Sequence, residues 1–187
     1  MSVKHIQIDF GFYILFAIFL LLLPLKLVFS WSIAVAVHEA GHYIALRFFN
    51  IDVTHISLGA GGVSMQIGEI TTKQEFVCAL AGPMGSLSLL LLSRCWPCTA
   101  ICGFVHCLFN LLPIYPLDGG RALRCLLIKL FGCDIGITIS KWLGVLLCSL
   151  AVVILFVLAY KVYLGAAAVI VIGYILIKFK LANNANK

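Results

Sequence analysis

Apolar segments long enough to cross a lipid bilayer recur along the whole 187-residue chain. A membrane-spanning helix needs roughly 20 predominantly apolar residues. The sequence predicts six such spans, at about 10–29, 31–49, 76–92, 99–115, 136–159 and 163–177. This pattern favours an all-α polytopic membrane protein, in which short loops connect about six transmembrane helices.

The composition excludes the main alternatives to a membrane fold. Hydrophobic residues make up 63% of the chain and charged residues 11%, whereas soluble domains average about 45–50% apolar and about 25% charged residues. A soluble fold of this size could not bury so many apolar side chains. A soluble globular enzyme, a disordered chain and a secreted disulfide-rich domain are therefore excluded.

Membrane topology accounts for the net charge of +6. With six spans and a cytoplasmic N-terminus, Lys26, Arg94 and Lys161 lie outside and the other ten of the 13 Lys and Arg residues lie inside. Positive residues concentrate in cytoplasmic loops, so both termini are predicted to be cytoplasmic. The chain has no basic stripe interleaved with aromatic residues, as single-strand binding would need. The expected surroundings are a lipid bilayer, and no nucleic-acid partner is expected.

The segment 51–69, between the second and third predicted spans, has a different pattern. Glycines interrupt it at positions 59, 61, 62 and 68, and apolar and polar residues alternate from Val63 to Ile67. Alternation with a period of two, bounded by glycines, is typical of short strands. We expect a small β-hairpin here.

The sharpest motif is His38-Glu39-Ala40-Gly41-His42, in the second predicted span. Residues four apart share one face of a helix, so the two imidazoles can bind one zinc ion. Glu39 is then placed to act as the general base that activates water. The alternative for Glu39 is a buried polar group satisfied by neighbouring helices. The two flanking histidines favour the metal site.

A catalytic zinc site uses three protein ligands and keeps one position open. Asp118 is the best candidate for the third ligand, because prolines and glycines around it break the helix near the end of the fourth span. The alternative is an ordinary Pro-Asp-Gly turn at the end of a span. The second and fourth spans both run from outside to inside. The two half-sites are therefore expected to meet toward the cytoplasmic side.

These motifs resemble those of the site-2 proteases, the intramembrane zinc metalloproteases. The resemblance rests on His38–His42 and on residues 110–121, which read Asn-Leu-Leu-Pro-Ile-Tyr-Pro-Leu-Asp-Gly-Gly-Arg. Gly61-Gly62 and Ala81-Gly82-Pro83 are secondary matches in the same order. The second motif looks most like that of the bacterial sporulation-factor subgroup, which cleaves a membrane-associated sigma-factor precursor.

The resemblance implies a role for each matching residue. His38, His42 and Asp118 would bind Zn²⁺, and Glu39 would activate water. Asn110 would help to hold the substrate or the reacting carbonyl, although a helix-packing hydrogen bond is an equal alternative for this residue. The hairpin would be embedded in the membrane. Its edge, at Gly61 and Gly62, would pair with an extended segment of a membrane-associated protein substrate.

The resemblance also sets expectations about domains and partners. We predict a single transmembrane metalloprotease domain over 1–187, with a catalytic core at about 31–121, C-terminal helices at 136–177, and no PDZ or CBS domain. A membrane-protein regulator is a candidate partner, and a bacterial cell membrane is the expected location. The chain departs from the family at Ser86, where the family often has asparagine.

Some features leave alternatives open. Cys95 and Cys98 could form a redox or zinc pair or a structural disulfide, or they could be ordinary loop cysteines. His106 shares a helix face with Cys102 and Asn110, and it could line a cavity or simply pack. The leading functional hypothesis is an intramembrane zinc endopeptidase. The alternatives are a metal-ion transporter and a catalytically inactive protein that binds transmembrane segments.

Overall fold

A computed structural model describes residues 5–59 and 61–162 of the chain. Within these residues the structure is mostly helical, with one small β-sheet. The chain divides into two compact units, Met1–Leu111 and Leu112–Lys187, and each unit is described by itself. The expected class, helical with a small hairpin, agrees with these elements.

The β-sheet of the first unit has three strands in the order β1-β2-β3. These are β1 (His5–Ile8), β2 (Val53–Gly59) and β3 (Gly62–Ile67). β2 and β3 form the predicted hairpin, in which Gly59 lies opposite Gly62. β1 runs parallel to β2 and was not predicted. Its four residues are too few for a clear pattern, and its pairing partner lies about fifty residues away in sequence.

The first unit also contains four α-helices. They are α1 (Phe10–Leu22), α2 (Leu25–Phe48), α3 (Thr72–Ser88) and α4 (Pro97–Asn110), and a short 3₁₀ helix over Leu89–Leu92 follows α3. α2, α3 and α4 pack against one another. The sheet is joined to this group by a buried apolar cluster that includes Ala45 and Leu46 of α2, Val53 of β2 and Cys78 of α3.

The predicted boundary between the first two spans is wrong. The expected break near residue 30 is absent, since α2 continues through it, and the chain breaks instead at Leu23 and Pro24. Proline lacks a backbone N–H and is better tolerated at the start of a helix than in its interior, and Pro24 is the residue before α2. At position 30 the helix is held in place, because the buried Ser30 hydroxyl accepts a hydrogen bond from Thr99 Oγ1 at 3.2 Å.

The third and fourth spans are also shifted from the predicted 76–92 and 99–115. α3 begins at Thr72, because Thr71 and Gln74 form a capping box that satisfies backbone N–H groups at its first turn. α4 ends at Asn110, five residues earlier than expected. Two prolines in the following seven residues prevent the helix from continuing.

The second unit, within the described residues, consists of α5 (Asp118–Phe131) packed against α6 (Cys133–Val162). α5 follows the proline-containing loop 113–117. It ends at Gly132, whose positive φ of 84° favours glycine. A Cβ atom at Gly136 would collide with the backbone of α5 at Ile128, so α6 approaches α5 closely at this glycine.

Two helical segments among the described residues are long and apolar enough to cross a membrane. These are Thr72–Leu92 and Cys133–Ile154, and Phe10–Leu22 and Pro97–Asn110 are shorter apolar helices. The predicted count of six spans is therefore not confirmed. α2 has sufficient length, but Lys26, Glu39 and Arg47 make it more polar. The sixth predicted span, 163–177, lies outside the described residues, as does the end of the predicted C-terminal region 136–177.

Candidate metal centre

The two histidines of the sequence motif lie one turn apart on α2 and contact α3. Their Nε2 atoms are 3.1 Å apart, and their rings are nearly perpendicular, with centroids 4.8 Å apart. His38 is buried and His42 is half-buried. The predicted convergence of these side chains is therefore present within the first unit.

A backbone carbonyl of α3 orients the His42 ring. His42 Nδ1 lies 2.7 Å from the carbonyl oxygen of Cys78. A carbonyl can only accept a hydrogen bond, so Nδ1 carries the proton and donates it. In a neutral imidazole, Nε2 then carries a lone pair. This is the arrangement in which metal-binding histidines are usually held.

A side chain of α3 orients the His38 ring. His38 Nδ1 lies 3.0 Å from Ser86 Oγ, and both residues are buried. The two histidines are thus fixed through Nδ1 by two different groups of the same helix. Both Nε2 atoms point to one shared position.

Glycines allow α2 and α3 to approach closely enough for these contacts. A Cβ atom at Gly82 would collide with His42 Nε2 and would lie 2.8 Å from His38 Nε2. A Cβ atom at Gly41 would collide with the Ala81 carbonyl, and one at Gly85 would lie 2.8 Å from the Val37 carbonyl oxygen. Small residues serve the same purpose at close helix crossings in membranes.

Glu39 follows His38 on α2 and is half-buried. This is the position that the general base occupies in the His-Glu-x-x-His pattern, where it is adjacent in sequence to a metal ligand.

A third imidazole packs beside the pair. The His106 ring on α4 lies 4.6 Å from the His38 ring and 5.5 Å from the Trp31 ring, measured between centroids, and makes edge contacts with both. Of the two alternatives for His106, these contacts support packing. They also place a polar ring against a candidate metal ligand.

Asn110, the last residue of α4, is bonded to His106. Its Nδ2 donates to the His106 carbonyl oxygen at 3.0 Å and lies 3.2 Å from His106 Nε2. An amide nitrogen has two hydrogens, and both are directed to His106. The amide oxygen is therefore the group that Asn110 has left for another partner.

Asp118 lies in the second unit, as the first residue of α5. It is buried, and its Oδ1 is 3.6 Å from Arg121 Nη1. A carboxylate is stabilised at a helix N-terminus by the orientation of the backbone dipoles. Gly120 is required beside it, because a Cβ atom there would collide with the backbone of Ile114 and Tyr115. The loop and the first turn of α5 are thus packed tightly around Asp118.

The remaining candidate residues lie on the hairpin and near the start of α4. Gly61 lies in the turn of the hairpin, and Gly62, with a positive φ of 107°, begins β3, an outer strand of the sheet. Cys95 and Cys98 are not joined by a disulfide in the described structure.

Sequence reasoning missed the groups of α3 that hold the histidines. Ser86 drew attention only as a departure from the family pattern, and Gly82 only as part of a secondary match. The Cys78 contact is made by a backbone carbonyl, which no residue type signals. The donor set nevertheless fits zinc, since two neutral imidazoles held through Nδ1 are typical zinc ligands.

Comparisons with known proteins agree with this donor chemistry. No family model matches the sequence. A protein named zinc metalloprotease from Methanocaldococcus jannaschii is 29% identical over 157 residues, which are 72% of this chain and 46% of that protein. Rip3 of Mycobacterium tuberculosis, named as a candidate zinc metalloprotease, is 33% identical over 115 residues, which are 51% of this chain and 29% of that protein. The chain thus spans less than half the length of these curated relatives.

A solved structure matches almost the whole chain. It is a site-2 protease from Methanocaldococcus jannaschii, with a TM-score of 0.71 and 22% sequence identity, over 97% of this chain and 92% of that one. At this identity the likeness establishes the fold. The chain therefore has the fold of a site-2 protease and is related in sequence to zinc metalloproteases.

Proposed function

We propose that the protein is a zinc-dependent intramembrane endopeptidase, which hydrolyses peptide bonds in or near transmembrane segments. The observation that carries the proposal is the pair of histidines on α2, whose Nε2 atoms lie 3.1 Å apart while Nδ1 of each ring is held by α3. The relatives named zinc metalloprotease and the site-2 protease fold support the same activity.

Asp118 is proposed as the third zinc ligand, beside His38 and His42. Two histidines and a carboxylate form a donor set of known catalytic zinc sites, and the set leaves one position open. Within its own unit, Asp118 is buried at the start of α5, with Arg121 beside it. A buried carboxylate needs a charged or hydrogen-bonding partner, and a cation is such a partner.

Glu39 is proposed as the general base. When bound, zinc supplies a Lewis acid that makes water reactive near neutral pH and polarises a peptide carbonyl. Glu39 takes a proton from the attacking water and then gives it to the leaving amine. His38 and His42 stay neutral throughout, because each must keep a lone pair on Nε2.

Asn110 is proposed to hold the substrate. Since both hydrogens of its amide are directed to His106, it would accept a hydrogen bond from a substrate N–H through its oxygen. The outer strand β3 and the turn at Gly61 and Gly62 would pair with an extended substrate segment. This extended state matters because a helical substrate shields its own carbonyl groups.

The finer assignments rest on the distribution of Lys and Arg residues and on the sequence resemblance. We infer a multi-pass protein of a bacterial membrane, with both termini in the cytoplasm and the active site toward the cytoplasmic side. A sigma-factor precursor as substrate, the sporulation subgroup and a membrane-protein regulator remain predictions of that resemblance. The two apolar segments Thr72–Leu92 and Cys133–Ile154 support the membrane location.

The test compares zinc content and proteolysis in the wild type, Glu39→Gln and Glu69→Gln. The purified proteins are assayed for zinc, and each is co-expressed with a panel of single-span membrane proteins whose fragments are identified by mass spectrometry. We expect one zinc per chain in all three proteins, with cleavage by the wild type and by Glu69→Gln only. Glu69 is the matched control, because it is exposed in the loop before α3. Zinc in all three without cleavage by any would contradict the protease.

A further inference from the structure

We propose that Ser86 is a positioning residue of the zinc site, whose hydroxyl accepts a hydrogen bond from His38 Nδ1 and so keeps the Nε2 lone pair of that ring directed at the metal position. The inference rests on the proposed zinc site, and it concerns how one ligand is held. Ser86 lies on α3, is fully buried, and contacts His38 Nδ1 through Oγ at 3.0 Å.

The direction of this hydrogen bond follows from the proposed zinc site. A histidine that binds a metal through Nε2 carries its ring proton on Nδ1, which can then only donate. Ser86 Oγ lies within hydrogen-bond distance of His38 Nδ1 and accepts this proton, as the Cys78 carbonyl does for His42 Nδ1.

Ser86 lies between closely packed helices. Its side chain is fully buried, and a Cβ atom at Gly103 of α4 would lie 2.7 Å from the Ser86 carbonyl oxygen, so α4 closes over this turn of α3. Loss of the hydroxyl would leave His38 Nδ1 without its buried partner.

The test uses Ser86→Thr and Ser86→Val, which have the same shape and differ only in the hydroxyl. Zinc affinity is measured by competition with a chelator on the full chain in detergent, and the thermal unfolding of each metal-free protein is recorded. Removing the partner of a metal-binding histidine costs about 10–100-fold in metal affinity. We expect Ser86→Val to bind zinc about 10–100-fold more weakly than Ser86→Thr. Its metal-free form should also unfold at a lower temperature, because a buried nitrogen of His38 has lost its hydrogen-bonding partner.

Ser88→Ala is the matched control on the same part of the chain. Its hydroxyl is exposed and donates to the Gly85 carbonyl, away from the histidines, so its zinc affinity should equal that of the wild type. Equal affinity of the Thr and Val variants, in a wild type that binds zinc, would overturn the role of Ser86 alone. A wild type that binds no zinc would overturn both this inference and the proposed function.

Discussion

Gly82→Ala tests how closely α3 must approach the histidine pair. The added methyl group would collide with His42 Nε2 and lie 2.8 Å from His38 Nε2, whereas ordinary contacts begin near 3.4 Å. One ring or the helix must therefore move by at least several tenths of an ångström. Zinc–ligand distances tolerate only about 0.2 Å.

The expected result is a loss of zinc affinity of about 100-fold or more. A tenfold change in a binding constant corresponds to about 1.4 kcal/mol, so this loss is about 2.8 kcal/mol. Overpacking of this kind costs about 1–3 kcal/mol in folding stability. The metal-free variant should therefore also unfold at a lower temperature than the wild type.

The assay is zinc affinity by chelator competition, with Gly144→Ala as the matched control. Gly144 also lies within a helix, but a Cβ atom there would meet only the Tyr115 nitrogen, at 3.9 Å. That variant should bind zinc as the wild type does. Undiminished zinc affinity in Gly82→Ala would refute the reasoning, because the added methyl group would then have no effect on the ligand nitrogens.

Three further predictions concern Asp118 and Gly120 of the second unit and the cysteine pair Cys95 and Cys98. Asp118→Ala should remove bound zinc, measured as metal per chain. Asp134→Ala, which also alters the first turn of a helix, should keep its zinc, and equal zinc in both variants would contradict the assignment of Asp118 as the third ligand. Gly120→Ala should lower the thermal unfolding temperature, because its methyl group would collide with the loop before α5. Replacing Cys95 and Cys98 together by serine should change neither zinc content nor unfolding, and a loss of zinc would show that these thiols bind it.

Patterns that are local in sequence predicted the main parts of this structure. The i, i+4 histidine spacing put both imidazoles on one face of α2, and the alternation from Val63 to Ile67 predicted the hairpin. In β3 the apolar residues are the half-buried ones, as the alternation requires.

Features that depend on distant contacts were not predicted. The break at Pro24 was noticed only as an interruption, because apolarity continues on both sides of it. β1 depends on pairing with a strand about fifty residues away. The contacts of Ser86 and the Cys78 carbonyl with the histidines depend on how α2 and α3 cross, which no local pattern specifies.

The central claim is that a zinc ion is bound by two imidazoles, and X-ray absorption at the zinc edge of the purified protein tests it directly. The account predicts a first shell of nitrogen and oxygen atoms at about 2.0–2.2 Å, with the scattering features of two imidazole rings. The chain contains eight cysteines, which could bind zinc through sulfur at about 2.3 Å. A sulfur-dominated shell, or a spectrum without imidazole features, would contradict the assignment of His38 and His42.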